Sequence, residues 1–146
     1  MTGIFTEFDS FSADETMLAG KSFIEKVKVG EKVALIGSLG AGKTTFVRGA
    51  VRALGYTGTV RSPSFMLVNH YPAELEIIHA DLYRIQNPAE LLALNLEVEA
   101  ENRILFVEWG NRFEAYWGPT DWRVEFHIDP QHEKHRLIRV KKVNPS

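Results

Sequence analysis

The sequence predicts an α/β fold in which a mixed sheet is flanked by helices and closed by a C-terminal antiparallel hairpin. Short apolar runs without alternation, such as Lys32–Ile36 and Ile104–Val107, are typical of strands covered on both faces. Apolar residues at helical spacing separate the strands, as in Thr44–Leu54. Residues 122–128 alternate between apolar and polar, which indicates a strand with one solvated face. Strands that alternate with helices and end in a hairpin favour this fold class.

The N-terminal elements follow from equally local patterns. Residues Gly3–Phe11 alternate and predict a first strand, and Ser12 with Glu15 forms the S-x-x-E capping box of a helix start. Apolar spacing extends this helix to about Lys28, before Gly30. The remaining elements predicted are strands at Phe65–Tyr71 and Leu75–Ala80, separated by Pro72–Glu74; a helix from Pro88 with Asn87 as its N-cap; and a turn at Asp129–Pro130 before a weaker strand around Ile138–Val140.

Length and composition indicate one globular domain, residues 1–146, of 16.5 kDa. With 17 basic and 19 acidic side chains the net charge is −2, which argues against a dedicated DNA or RNA binder. Cysteine is absent from the sequence, which excludes disulfides, thiol nucleophiles and cysteine-ligated zinc. The sequence has neither a recognisable signal peptide nor an apolar run of about 20 residues, so we expect a cytoplasmic protein without membrane contact.

Residues Gly37–Thr44 match the phosphate-loop pattern G-x-x-x-x-G-K-[ST] at every fixed position. Glycines let such a loop turn its N–H groups towards an anion, and a following helix adds its positive end. A chance match in a chain of this size has a probability of roughly one in a few hundred, and the strand before and helix after it fit the mechanism. A P-loop NTPase-like fold is therefore predicted. The expected nucleotide contacts are Ser38, Leu39, Gly40, Ala41, Gly42, Lys43, Thr44 and Thr45, with Lys43 on the phosphates and Thr44 on Mg²⁺.

Two acidic residues stand at the ends of predicted strands. Glu108 directly follows Ile104–Val107, and Asp81 follows Ile77–Ala80. In a parallel sheet both carboxylates would lie at the carboxyl edge, beside the phosphate loop. The functional interpretation makes one an anchor for Mg²⁺ and the other an orienter of the attacking water; the alternative is that each is an ordinary solvated strand end.

Among nucleotide enzymes, the sequence lacks the [NT]-K-x-D segment of GTPases and the L-S-G-G-Q signature of ABC ATPases. It is also too short for an AAA module. A small-molecule kinase stays open, although no arginine-rich lid is evident. A non-catalytic assembly module, in which nucleotide only shapes an interface, is a further alternative.

Four blocks of the sequence occur in a recognisable order: Gly37–Phe46 with Arg48–Gly49, Ser62–Phe65 with Leu67–Val68, His79–Arg84, and Glu108–Trp109. Together they resemble the TsaE family (also called YjeE), bacterial ATPases of tRNA threonylcarbamoyladenosine biosynthesis. The S-P-[ST]-F, D-L-Y-R and E-W sequences are more specific than the phosphate loop, and the resemblance covers nearly the whole chain.

This resemblance implies a small P-loop ATPase that uses ATP and Mg²⁺ and works with the TsaB and TsaD proteins. TsaD transfers a threonylcarbamoyl group to an adenosine beside the anticodon, and TsaE hydrolyses ATP in the complex so that it can turn over. Contact with tRNA is then indirect. Hydrolysis by the chain alone is expected to be slow, because no arginine finger is evident in the sequence.

The resemblance also implies roles for single residues. Lys43, Asp81 and Glu108 would be catalytic, and Thr44 and Glu108 would bind the metal. Trp109 matches an aromatic residue beside the nucleotide, although packing in the core is an equal alternative. Thr16 would lie near the adenine, with a structural role as an equal alternative. Ser62–Ser64 matches a switch-like loop, although the residues alone favour a simple turn that enters a strand. Ser38 stands where the family usually has Asp.

The C-terminal stretch around Arg136 is locally basic, which is typical of the wet face of a hairpin. One of its side chains, Arg136, is expected to reach the nucleotide or a partner. The five histidines show no metal-like spacing with acids, so no histidine ligand is predicted. They are His70, His79, His127, His132 and His135.

Overall fold

The computed structural model describes residues 2–38, 40–61, 68–109, 114–117 and 120–143, whose strands form one seven-stranded mixed sheet. The strand order is β1-β7-β6-β2-β5-β4-β3. β2, β4, β5 and β6 are mutually parallel, whereas β3 and β7 pair antiparallel with their neighbours. The predicted fold class and the C-terminal hairpin are confirmed. The elements are β1 (Thr2–Ser10), α1 (Ala13–Ile24), β2 (Lys32–Ile36), α2 (Lys43–Ala53), β3 (Val68–Tyr71), β4 (Ile77–Asp81), α3 (Pro88–Ala93), α4 (Leu96–Glu99), β5 (Ile104–Glu108), α5 (Glu114–Trp117), β6 (Trp122–Asp129) and β7 (His132–Val143).

Two hydrophobic cores cover the two faces of the sheet. On one face α1 and α2 pack over Leu35 and Phe106, and on the other α3, α4 and α5 pack over Ala34 and Leu105. Successive residues of β2 and β5 therefore enter different cores, because side chains alternate across a strand. This two-sided burial explains why both strands read as unbroken apolar runs.

Helices α1 and α2 approach each other closely at two glycines. A Cβ built on Gly20 would overlap the carbonyl oxygen of Phe46, and one built on Gly49 would overlap the carbonyl oxygen of Met17. Each helix therefore lies against the backbone of the other. Because α2 begins at Lys43, this packing also fixes the position of the phosphate loop relative to α1.

The predicted start of α1 is confirmed by its hydrogen bonds. The Ser12 side chain accepts from the Glu15 N–H at 3.1 Å, and the Glu15 carboxylate accepts from the Phe11 N–H at 2.8 Å. The predicted end near Lys28 is wrong, since the helix stops at Ile24. Val27 lies beyond the helix yet is buried in the core, so the apolar pattern continued past the helix itself.

Other differences concern short or irregular elements. The last strand is longer than predicted because it pairs with both β6 and β1. Helices α4 and α5 have four residues each, too few to show a helical period. Of the predicted strand Phe65–Tyr71, the part from Val68 is a strand and residues 65–67 lie outside the described residues. No helix in the described part of the chain has the length and apolarity needed to cross a bilayer.

Candidate nucleotide-binding site

The phosphate loop connects β2 to α2, with the geometry that its glycines predict. Gly40 has φ +77° and Gly42 has φ +103°, in the left-handed region that side chains with a Cβ rarely adopt. Gly42 is the N-cap of α2, and its carbonyl accepts the first helical hydrogen bond, from Phe46, at 2.9 Å. The N–H groups of the first turn of α2 are therefore free of helical partners and suited to an anion. Leu39 lies outside the described residues.

Lys43 is almost fully buried, at 4% exposure. Its Nζ donates to the Gly37 carbonyl at 2.6 Å, lies 4.0 Å from Oε1 of Glu108 and sits 4.2 Å from the ring centroid of Trp109. Burial lowers the pKa of Lys43, while the negative charges of Glu108 and Asp81 oppose that change. The ammonium group is thus held at the base of the loop in an environment that disfavours its charge, which an anionic phosphate would relieve.

Sheet register brings the two predicted acids together. Glu108 is paired with Leu35 in β2 and with Asp81 in β4, so the carboxylates end neighbouring parallel strands. Both are buried. Asp81 Oδ1 accepts the backbone N–H of Tyr83 at 2.8 Å, which also gives it a role in the turn after β4. The predicted placement at the carboxyl edge is confirmed, whereas the separate chemical roles stay predictions.

Thr44 and Glu108 offer oxygen ligands suited to Mg²⁺. Thr44 Oγ1 lies 3.4 Å from Glu108 Oε2. Octahedral Mg²⁺ binds oxygens at about 2.0–2.1 Å, which places adjacent ligands about 3 Å apart, so the pair needs little adjustment to share one ion. No cluster of three or more His, Cys, Asp or Glu residues within the described ranges could hold a metal. The remaining ligands would be water and phosphate oxygens, as is usual for Mg²⁺.

A cavity of about 440 Å³ opens beside the loop, between α1 and the hairpin. Thr16 and Arg136, the two predicted contacts from distant parts of the chain, both line it. Thr16 is buried, bonds to the Ser10 hydroxyl at 2.7 Å and lies against Gly42, while Arg136 donates to the Gly40 carbonyl at 3.3 Å. The structure therefore places both side chains at the phosphate loop.

Phe11 is a cavity-lining residue that sequence reasoning missed as a site residue. Its side chain is 54% exposed and stacks on His135, with ring centroids 4.6 Å apart and planes 11° apart. Sequence reasoning assigned Phe11 to the end of the first strand, and an aromatic residue just before a capping box is the pattern that could have indicated its position.

Trp109 packs against the second core and also contacts Lys43. It is partly buried, its ring lies 5.0 Å from that of Tyr83, and its backbone N–H donates to the Leu35 carbonyl at 3.0 Å. Its φ of +60° is rare for a bulky residue and is typical of functional sites. Both alternatives from the sequence, core packing and a position beside the phosphate loop, are thus combined in one side chain.

His79 is a second residue at the site that the sequence did not reveal. Its Nε2 lies 2.6 Å from Glu108 Oε2, and the side chain is fully buried. His79 has no metal-like spacing with acids, and the pattern that indicates its position is strand alternation, which puts it on the same face as Asp81 two residues later. The predicted switch-like loop, Ser62–Ser64, lies outside the described residues.

Comparison with known proteins assigns the chain to a protein family. The family model described as "Threonylcarbamoyl adenosine biosynthesis protein TsaE" matches residues 10–138, most of the sequence. The chain belongs to the TsaE family. As the family's name states, TsaE proteins take part in the biosynthesis of threonylcarbamoyladenosine in tRNA.

Individual TsaE relatives agree with the family match. The TsaE of Nostoc sp. is 39% identical over 110 residues, covering 70% of this chain and 67% of the relative. The TsaE of Rickettsia typhi is 31% identical over 135 residues, covering 91% of this chain and 92% of the relative. The match to the TsaE of Mycobacterium tuberculosis, at 34% identity, covers 66% of this chain and 64% of that protein, which is less than two thirds of its length.

A solved structure, that of YdiB from Bacillus subtilis, has the same fold. It superimposes with a TM-score of 0.75 at 26% sequence identity, covering 99% of this chain and 88% of YdiB. The overall fold of this chain is therefore one that is also found in a solved structure.

Proposed function

We propose that this TsaE chain is a Mg²⁺-dependent ATPase that serves tRNA threonylcarbamoyladenosine biosynthesis. The observation that supports the proposal most strongly is the position of the Glu108 carboxylate at the start of α2, 4.0 Å from Lys43 Nζ and 3.4 Å from Thr44 Oγ1. A phosphate-binding cation, a hydroxyl and a carboxylate at this place are the groups that P-loop enzymes use for a nucleoside triphosphate and its metal.

In this proposal the loop and α2 bind the phosphates through backbone N–H groups, and Lys43 places a positive charge beside them. Thr44 and Glu108 hold Mg²⁺, which when bound neutralises charge on the phosphates. Asp81, beside Glu108 in the sheet, orients the attacking water or a ligand of the metal. Burial of Lys43, Asp81 and Glu108 strengthens their electrostatic interactions, because the local dielectric constant is below that of water.

The cavity beside the loop is the proposed site for the adenosine end of ATP. Thr16 and Arg136 lie at its boundary with the phosphate loop, and Phe11, which lines it and is 54% exposed, offers an aromatic side chain for contact with the base. Trp109, whose ring centroid lies 4.2 Å from Lys43 Nζ, would lie near the phosphate end.

We further propose that TsaB and TsaD stimulate hydrolysis. Among the described residues that line the two cavities at the loop, Arg136 is the only arginine. Its guanidinium donates to the Gly40 carbonyl instead of facing Asp81 and Glu108. An arginine supplied by a partner accelerates related reactions by about 10³–10⁵-fold, so slow hydrolysis by the chain alone is expected. With a net charge of −2, contact with tRNA would be made mainly through the complex.

Phosphate release by the purified chain, with and without TsaB and TsaD, tests this function. We expect slow release alone, a marked increase in the complex, and loss of release in Glu108→Gln; Glu101→Gln, which changes an exposed acid, is the matched control. Equal rates with and without the partners would contradict partner stimulation. Mass analysis that finds a phosphorylated metabolite in place of free phosphate would indicate a kinase.

A cellular assay separates catalysis from assembly. If ATP turnover is required, cells that carry only Glu108→Ala lose threonylcarbamoyladenosine from their tRNA. If the modification persists while the purified variant has lost turnover, the nucleotide acts only in assembly.

A further inference from the structure

We propose that His79 is a positioning residue that holds the Glu108 carboxylate in its metal-binding orientation and thereby sets the Mg²⁺ affinity of the site. This inference rests on the proposed function. His79 affects the metal only by orienting Glu108 and makes no direct contact with the metal.

The strand pattern of β4 and β5 brings the two side chains together. His79 shares a face of β4 with Ile77 and Asp81, and Glu108 shares a face of β5 with Phe106. Ile77 and Phe106 belong to the core beneath α1 and α2, so His79 and Glu108 both project towards the helix that carries Thr44. The 2.6 Å contact between His79 Nε2 and Glu108 Oε2 is therefore built from rigid sheet positions rather than from loops.

A buried histidine at position 79 lowers the stability of the fold, so its presence is explained best by a functional role of its contact with Glu108. Its side chain is 0% exposed, and among the described residues no atom bonds to its Nδ1. A buried polar atom without a partner destabilises a fold, whereas an apolar side chain of similar size would pack here without that penalty. The carboxylate of Glu108 is the polar partner that accounts for an imidazole in this apolar layer.

The hydrogen bond selects one orientation of Glu108. Oε2 accepts from His79 and lies 3.4 Å from the Thr44 hydroxyl, while Oε1 lies 4.0 Å from Lys43 Nζ. Without the His79 donor, the carboxylate is free to turn towards the ammonium group of Lys43 and to close an ion pair that competes with the metal. Groups that orient metal ligands in this way typically change metal affinity or activity by about 10–100-fold when removed.

Two substitutions separate the hydrogen bond from the packing. His79→Leu keeps a similar apolar volume and removes the donor, whereas His79→Gln keeps a side-chain N–H that can reach the place of Nε2. The affinity for Mg²⁺ is measured by titrating the ion into protein with a fluorescent ATP analogue, and the analogue's own affinity is measured in EDTA. Thermal unfolding of each variant reports on the fold.

We expect His79→Leu to bind Mg²⁺ about 10–100-fold more weakly at unchanged affinity for the analogue in EDTA, and His79→Gln to recover most of the loss. If the leucine variant does not fold, His79→Asn, polar but too short to reach Glu108, replaces it with the same expectation. A folded variant without the donor that binds Mg²⁺ like the wild type would overturn the proposal, and so would equal losses in the glutamine and leucine variants. If Mg²⁺ has no effect on the binding of the analogue by the wild type, the proposed function itself is wrong. This result concerns the wild type and is therefore distinct from the results for the His79 variants.

Discussion

Gly49→Ala tests how the fold supports the site. This substitution usually stabilises a helix, but here the structure predicts that it destabilises the protein. In the interior of a helix, alanine is more stable than glycine by about 1 kcal/mol. At Gly49, however, the new Cβ would overlap the carbonyl oxygen of Met17 and lie 2.7 and 2.8 Å from the Met17 carbonyl carbon and Cα. All three atoms are backbone of α1, so rotation of a side chain cannot relieve the overlap.

The expected magnitude follows from the displacement that the methyl group requires. Real Cβ atoms hardly occur within 3.0 Å of other heavy atoms, so α1 and α2 must separate at this crossing. Overpacking of this kind costs about 1–3 kcal/mol even after partial relaxation. For a chain of about 150 residues, this corresponds to a decrease in Tm of about 2–12 °C. Since α2 carries Lys43 and Thr44 in its first turn, the affinity for Mg·ATP should also decrease.

Circular dichroism during heating, with and without Mg·ATP, provides the assay. The control is Ala53→Gly, an exchange in the opposite direction at an exposed position at the end of the same helix, which should lower the free energy of unfolding by less than about 1 kcal/mol. A Gly49→Ala protein as stable as the wild type, or more stable, would refute the close packing of α1 on α2.

Three further predictions concern charge and ligand binding. Lys43→Met removes the charge that the proposed function places on the phosphates, so the stabilisation by Mg·ATP, about 2.7 kcal/mol at 100 times Kd in the wild type, should fall to about 1.4 kcal/mol or less for an affinity at least about 10-fold lower; a shift as large as that of the wild type would contradict this. Removal of Mg²⁺ with EDTA should reduce that ATP-induced shift in the wild type but leave the Tm without nucleotide unchanged. Asp9 and Asp129 raise the pKa of His135, so its contribution to stability is present below pH 6.5 and is lost as the pH rises through the higher pKa of the folded state. The Tm difference between wild type and His135→Gln should therefore be larger at pH 6 than at pH 8, and equal differences would count against this contribution.

Those parts of the site that depend on short sequence spacing could be predicted before the structure. The loop is contiguous, so its glycines, Lys43 and Thr44 are recognisable in one pattern. The meeting of Asp81 and Glu108 needed only the assumption that both strands run parallel, which the unbroken apolar runs favoured and the register confirmed. The roles of the site residues towards a bound nucleotide and its Mg²⁺ stay predictions.

The rest depends on contacts between distant segments. The cavity beside the loop requires the pairing of Ser10 with Arg136 across β1 and β7, which no local pattern specifies. His79 was overlooked because a histidine inside an apolar strand resembles a core residue, and its importance depends on the neighbouring strand. Close packing at Gly20 likewise depends on the other helix, since glycine inside a helical pattern gives no indication of its partner.

The binding of ATP in the presence of Mg²⁺ to wild-type and Lys43→Ala protein, followed by isothermal titration calorimetry, is the most direct test that Gly37–Thr44 holds a triphosphate. Lys26→Ala, at an exposed position after α1, is the control. We expect one site in the wild type and in the control, and an affinity at least about 10-fold lower in Lys43→Ala, because a charged hydrogen bond contributes about 1.5–3 kcal/mol. Equal affinity in all three proteins, or no binding to the wild type, would contradict the assignment of the loop.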